Sequence, residues 1–175
     1  MNMKKLIFIL GASGSGKTSN VKNIESKNSD KYFFAYFDQP GVPSEKEVIE
    51  RYGDWEKWGI QRINEWINKI KEDYIENRVT IFDVQNKPEN IENVCKEFGI
   101  SNYNVILLDC SDNERKSRLM QRNQPHLIKD SLFIWAQFLR DEASLKGYTI
   151  IDNTDLSMEE GFKKIEEKVK ELSIS

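Results

Sequence analysis

Hydrophobic residues in this 175-residue chain gather into five short runs and otherwise recur at helical spacing. The runs are Leu6 to Leu10, Tyr32 to Phe37, Val79 to Asp83, Tyr103 to Asp109 and Tyr148 to Asp152. They are nearly continuous in apolar residues, as strands buried on both faces should be. The intervening segments read as helices. Ser19 to Lys27 places Val21 and Ile24 on one side. Ser44-x-x-Glu47 is a capping box that opens a short helix to about Arg51. Asp54 heads a longer helix to about Glu76, apolar at Ile63, Trp66, Ile67, Ile70 and Tyr74. Pro88 opens another, with Ile91, Val94, Cys95 and Phe98 on one face and Gly99 after it. Ser111-x-x-Glu114 caps the next, which carries Arg115, Arg118 and Arg122. Ser131 to Lys146 turns Leu132, Trp135, Ala136, Leu139 and Ala143 inward, and Gly147 closes it. Ser157-x-x-Glu160 caps the last, with Phe162, Ile165, Val169 and Leu172 inside. Strands alternating with helices predict an α/β fold with a parallel sheet covered on both faces. The length suits one domain, residues 1–175.

The turn after the first run carries the chemistry. Gly11-Ala12-Ser13-Gly14-Ser15-Gly16-Lys17-Thr18 fits G-x-x-x-x-G-K-[ST], between a strand and a helix as that motif requires. Glycines let the backbone turn its N–H groups toward an anion, and the helix start adds free N–H groups and a positive dipole end. Gly11, Ser13, Gly14, Ser15, Gly16, Lys17, Thr18 and Ser19 are the expected nucleotide-binding set. Lys17 should reach the β- and γ-phosphates and Thr18 should bind Mg²⁺.

Ligands of parallel α/β sheets bind beyond the carboxyl ends of the strands, which places Asp38 and Asp83 on the nucleotide side. Asp83 ends an apolar run, the pattern that supports Mg²⁺ in phosphate-loop proteins; a plain strand-end cap is the alternative. Gln85 and Asn86 follow in the same cleft. The two helices between the second and third runs form an inserted region that, in a phosphotransferase, would hold the acceptor. Arg51, Tyr52, Trp55, Trp58 and Arg62 cluster there, the tryptophans as packing or as substrate contacts, the arginines facing solvent or substrate. Arg118 and Arg122 share a helix face and suit phosphate, or else pair with nearby acids on an exposed face. Asn123-Gln124-Pro125-His126 breaks the helix, as a short mobile lid would. His126, the only histidine, reads as structural or exposed. Asn153 lies in the loop after the fifth run, at the edge of a base pocket.

Composition narrows the partners. The net charge of −3 and pI of about 5.4 argue against a nucleic-acid backbone binder. Cys95 and Cys110 lie in apolar contexts without metal spacing, which predicts reduced core thiols in a cytoplasmic protein. The five apolar residues after Lys5 are too few for a secretion signal, and no run is long enough to span a membrane. Nothing in the pattern fixes an oligomeric state.

On these residues the chain resembles the small P-loop kinases: nucleoside-monophosphate, shikimate and gluconate kinases and their relatives. The resemblance rests on G-A-S-G-S-G-K-T at 11–18, Asp38, Asp83, R-L-M-Q-R at 118–122 and I-D-N-T-D at 151–155. It implies a three-layer α/β/α fold with strand order 2-3-1-4-5, an acceptor site within 39–78 and a lid at 118–132. It also implies ATP and Mg²⁺ as cofactors, Arg118 beside the adenine and Arg122 on the transferring phosphate. Asp83-Val84-Gln85-Asn86-Lys87 departs from the substrate signatures of the nucleoside-monophosphate and shikimate kinases, so neither substrate carries over. The leading reading is a Mg²⁺- and ATP-dependent phosphotransferase acting on a small hydroxyl- or phosphate-bearing metabolite or nucleotide held by residues 38–62. Lys17 and Arg122 would supply charge. Asp38 would orient or deprotonate a hydroxyl, or act as a positioning or metal-shell residue toward a phosphate acceptor. A nucleotide-dependent regulatory ATPase or switch, and a polynucleotide 5′-hydroxyl kinase, are the alternatives. A GTPase is disfavoured: Asn86-Lys87-Pro88-Glu89 mimics a guanine motif at the wrong strand end and carries Glu.

Overall fold

Alternation along β1 (Leu6–Leu10) builds both halves of the core. Leu6, Phe8 and Leu10 join one cluster with α3 (Trp55–Glu72), α4 (Pro88–Glu97) and α6 (Asp130–Leu145). Ile7 and Ile9 join the other, with α1 (Lys17–Asn28) and α7 (Met158–Ile174). The five residues of β1 are fully buried, because helices cover both faces of the strand. The computed structural model describes residues 5–72 and 78–174.

β1 lies at the centre of a five-stranded sheet of order β2-β3-β1-β4-β5. The other strands are β2 (Tyr32–Tyr36), β3 (Val79–Asp83), β4 (Tyr103–Asp109) and β5 (Thr149–Asp152), and the pairs are parallel. Phe8 pairs in register with Phe82 on β3 and Val105 on β4, and the two phenyl rings stand 5.6 Å apart. This register aligns the ends of β1 and β3, so the phosphate loop, Asp83 and the chain after β2 meet at one edge.

The remaining helices are α2 (Glu45–Tyr52) and α5 (Asp112–Gln121). Ser44 and Glu47 form the reciprocal capping box expected at α2, and Ser111 caps α5 through the Glu114 N–H. Ser157 and Glu160 cap α7 in the same reciprocal way. Several boundaries differ from the sequence reading, and α6 runs one residue earlier at both ends. β2 stops at Tyr36, although the Phe37 N–H still donates to the Asp83 carbonyl at 2.9 Å. β5 begins at Thr149, one residue late, with Tyr148 diverted to a hydroxyl bond with Glu92. α1 starts at Lys17 rather than Ser19. Arg122 is the C-cap of α5 rather than a helical residue, because Asn123 turns to φ 56° and ends the helix. The predicted end of α3, with Tyr74 and Glu76, lies outside the described residues.

Candidate nucleotide and acceptor site

The loop between β1 and α1 is held open from outside. The Ser13 carbonyl accepts from Arg115 Nη1 at 3.0 Å. The Ser15 carbonyl accepts from Asn153 Nδ2 at 3.0 Å and Arg118 Nη1 at 3.4 Å. With these carbonyls tied away from the loop's centre, its amides can face an anion. A methyl group at Gly11 would fall 2.4 Å from the Leu108 carbonyl oxygen, so the loop can cross β4 only without a side chain there. Gly16 caps α1 at φ 91°, a region that favours glycine. No side chain caps α1 and no acid sits in its first turn, unlike α2 and α5. Its N–H groups and dipole end are therefore open to a phosphate. Ser15 is fully buried in the loop, and its Oγ has no partner among the described residues. A buried hydroxyl without a partner fits a site that an anion completes.

Lys17 is 8% exposed, and burial pushes its ammonium below the ordinary lysine range. Asp83 and Asp38 oppose that shift, while Arg115 and Arg122 add to it. The Thr18 hydroxyl donates to Asp83 Oδ2 at 2.6 Å. A cavity of about 170 Å³ opens beside this pair, lined also by Lys17, Lys22, Asp38 and Gln85. The Asp38 carboxyl is raised above its usual range, first by desolvation in the cleft and then by the Asp83 charge, against the pull of Lys17 and Arg62. Hard oxygens from one hydroxyl and one carboxylate suit Mg²⁺, which keeps most of its shell for phosphates and water. Among the described residues no group of three or more His, Cys, Asp or Glu could hold a metal by itself.

A second cleft, about 450 Å³, lies on the other side of the loop and is lined by Gly16, Ser19, Arg118, Arg122, Asn153 and Phe162 among others. Arg118 donates to Glu114 at 2.7 Å and, through its two terminal nitrogens, to the side chain and carbonyl of Asn153 at 2.9 and 3.0 Å. Arg122 is exposed and reaches the Ser19 hydroxyl at 3.3 Å. Both arginines and Asn153 therefore converge on the loop, and Arg118 also makes the acid pair of its alternative reading, with Glu114.

The insertion divides. Trp58 is buried and packs edge-on against Phe37 at 5.2 Å, which makes it core, while Trp55 remains 44% exposed on its outer side. Arg62 stacks over Trp58 at 5.8 Å and donates to the Gly41 carbonyl, and its charge is felt at Asp38. Arg51, the other candidate, is exposed at the end of α2, where its charge acts on Glu47. The structure does not bring it to the site. His126 is exposed in a 3₁₀ turn, Pro125–Leu127. The inner wall of the insertion is close to the sheet. A methyl group at Gly59 would stand 2.6 Å from Asn86 Nδ2. Asn86 cannot easily move, because its Oδ1 accepts from both the Lys87 N–H and Asn90 Nδ2 at 2.8 Å.

Two features escape a reading of the sequence alone. Lys22 joins the small cavity because it lies one helical turn after Thr18, and that spacing was the available signal. Arg115 looks like one more surface cation, yet it is fully buried against Asp109 at 2.7 Å.

No family model matches the chain, and no curated protein matches it. Solved structures do match over nearly the full length. A shikimate kinase from Bacteroides thetaiotaomicron is 17% identical and covers 97% of this chain and 98% of its own, at a TM-score of 0.61. A gluconokinase from Sinorhizobium meliloti 1021 is 17% identical over the same shares, at 0.60. A deoxyadenosine kinase from M. mycoides is 15% identical and covers 95% and 99%, at 0.58. The chain thus has the fold of the small P-loop kinases, with the strand order expected for it.

Proposed function

We propose that this chain is an ATP- and Mg²⁺-dependent kinase that transfers a phosphoryl group to a small acceptor held beside Asp38. One observation carries the reading: a buried lysine, a threonine–aspartate pair 2.6 Å apart and a second carboxylate line one cavity at the mouth of an uncapped helix. Phosphoryl transfer asks a protein mainly for positioning and charge neutralisation. Loop amides and Lys17 hold the β- and γ-phosphates, and the base and ribose occupy the cleft beside Arg118 and Asn153. Thr18 and Asp83 hold Mg²⁺, which when bound neutralises phosphate charge. Arg122, one residue beyond α5, reaches in toward the transferring group. Asp38 orients an acceptor hydroxyl and accepts its proton, and its raised pKa brings it nearer to the range in which a base works. Toward a phosphate acceptor, which needs no base, Asp38 serves as a positioning group.

The solved neighbours named above are kinases, which agrees with this chemistry. The acidic chain gives no support to a polynucleotide acceptor. The test is direct. Purified protein, ATP, Mg²⁺ and a metabolite library are combined, and products are read by mass. A product heavier by one phosphoryl group, made only with Mg²⁺, is expected. ATP hydrolysis stimulated by a protein partner alone, with no phosphorylated small molecule, would replace the kinase by a nucleotide-dependent switch.

A further inference from the structure

Asp109 ends β4 next to the phosphate loop and is 5% exposed. Two arginines grip it. Arg115 Nη2, on α5, donates to Oδ1 at 2.7 Å, and Arg140 Nε, on α6, donates to Oδ2 at 2.6 Å. Arg115 is fully buried and also donates to the Cys110 carbonyl at 3.1 Å and the Ser13 carbonyl at 3.0 Å. Its stem lies beneath the loop, since a methyl group at Gly14 would meet Arg115 Cγ at 2.9 Å. Arg140 is about one-third exposed and is steadied by Gln137 at 2.7 Å. The candidate lid, 118–132, lies between these two arginines in the chain. Both of its flanks are thus fastened to one carboxylate, and that carboxylate's other partner holds a loop carbonyl.

We infer that Arg140, through Asp109 and Arg115, is a positioning residue for the nucleotide: it fixes the phosphate loop to the helix on the far side of the lid. This rests on the nucleotide-binding part of the reading above. A buried carboxylate with two guanidiniums has strong orientational preferences, because each fork must meet a lone pair in plane. Losing Arg140 frees one Asp109 oxygen, lets the Asp109–Arg115 pair turn, and loosens the Ser13 carbonyl. The loop then spends less time in the form that accepts phosphate.

Equilibrium binding of Mg·ATP to the full chain, measured by calorimetry, tests this. R140Q should bind about 5- to 10-fold more weakly than wild type, within the range that positioning networks transmit. R140K, which keeps a charge and one donor, should recover much of the loss. D109N should also bind weakly, and D109N/R140Q should be no worse than D109N by more than about twofold, since the two act in series. Losses that multiply would show that Arg140 acts through its own field or its own contact, and would overturn the inference. So would wild-type affinity in R140Q. Amide hydrogen exchange of residues 11–16 in the ligand-free protein gives an independent arm, which also covers a D109N that does not fold. Exchange there should quicken in R140Q and return toward wild type in R140K, and unchanged exchange would overturn the inference. Absence of any heat with wild-type protein would instead remove the kinase reading, leaving the exchange arm to decide this one.

Discussion

Replacing Lys17 by methionine should make the ligand-free protein more stable while abolishing its response to nucleotide. Lys17 is 8% exposed, and no carboxylate lies within ion-pair distance of its ammonium among the described residues. Its charge is opposed first by desolvation, and the more distant Asp83 and Asp38 compensate only in part. Exchange of a buried ion for an apolar side chain of similar length is often neutral or stabilising, and we expect a gain of about 1 kcal/mol. For a domain of this size that raises Tm by roughly 2–4 °C. The nucleotide effect runs the other way. Saturating ligand at one hundred times Kd stabilises wild type by about 2.7 kcal/mol. That increment should nearly vanish in K17M. The pH dependence supplies a second signature. A lysine whose folded pKa is lowered leaves the unfolded chain with more bound protons, so stability rises with pH from the lowered value up to about 10.5. That component should be absent from K17M and so stand out in the wild-type minus K17M difference curve. Thermal and denaturant unfolding with and without Mg·ATP reads all three effects. A ligand-free K17M that melts below wild type, or one that keeps the nucleotide shift, would refute the account of Lys17 as a charge held in readiness for phosphate.

Three further outcomes follow from the same geometry. G11A forces a methyl group to 2.4 Å from the Leu108 carbonyl and should cost about 1–3 kcal/mol of stability by denaturant unfolding, with nucleotide binding lost in the folded fraction. T18V removes the hydroxyl that meets Asp83 and should raise the Mg²⁺ concentration needed for half-maximal activity about tenfold while lowering stability by about 1 kcal/mol. D38N should leave Mg·ATP affinity within about twofold and reduce transfer to a hydroxyl acceptor by about 100-fold or more in steady-state assays. Because the Asp38 pKa is raised, the folded state holds the extra proton; its contribution to stability is present below pH 3.8 and is lost as pH rises through the raised value. D38N should remove that component from the acid limb.

The sheet was legible because strands buried on both faces leave unbroken apolar runs: Leu6 to Leu10 and Val79 to Asp83 are bounded in the fold as they are in the sequence. The loop was legible because its chemistry is local. Gly11, Lys17 and Thr18 fall within eight consecutive residues, whereas Asp83, Arg115, Arg118 and Asn153 meet the loop only in the fold. Arg115 was not legible. Its neighbours Lys116 and Arg118 make the segment look like a solvated basic face, and its burial depends on Asp109 turning inward at the end of β4. An acid ending a strand and an arginine on the following helix are the ingredients, but their meeting is a tertiary fact. Arg51 and Arg62 could not be separated by residue type either. One ends an exposed helix, and the other lies over a buried tryptophan ring.

Gly59 sets the gauge of the helical insertion. Helix α3 rests against Asn86 with no side-chain carbon between them, and Asn86 is anchored to the turn that follows Asp83. The spacing between the insertion and the sheet edge at Asp83 is thus set by a missing methyl group rather than by a bulky spacer. A lineage that gained even alanine at this position would have to push the helix outward, away from the turn that follows Asp83. On the kinase proposal, the room offered to an acceptor would therefore drift by single-atom steps while the phosphate loop stayed as it is.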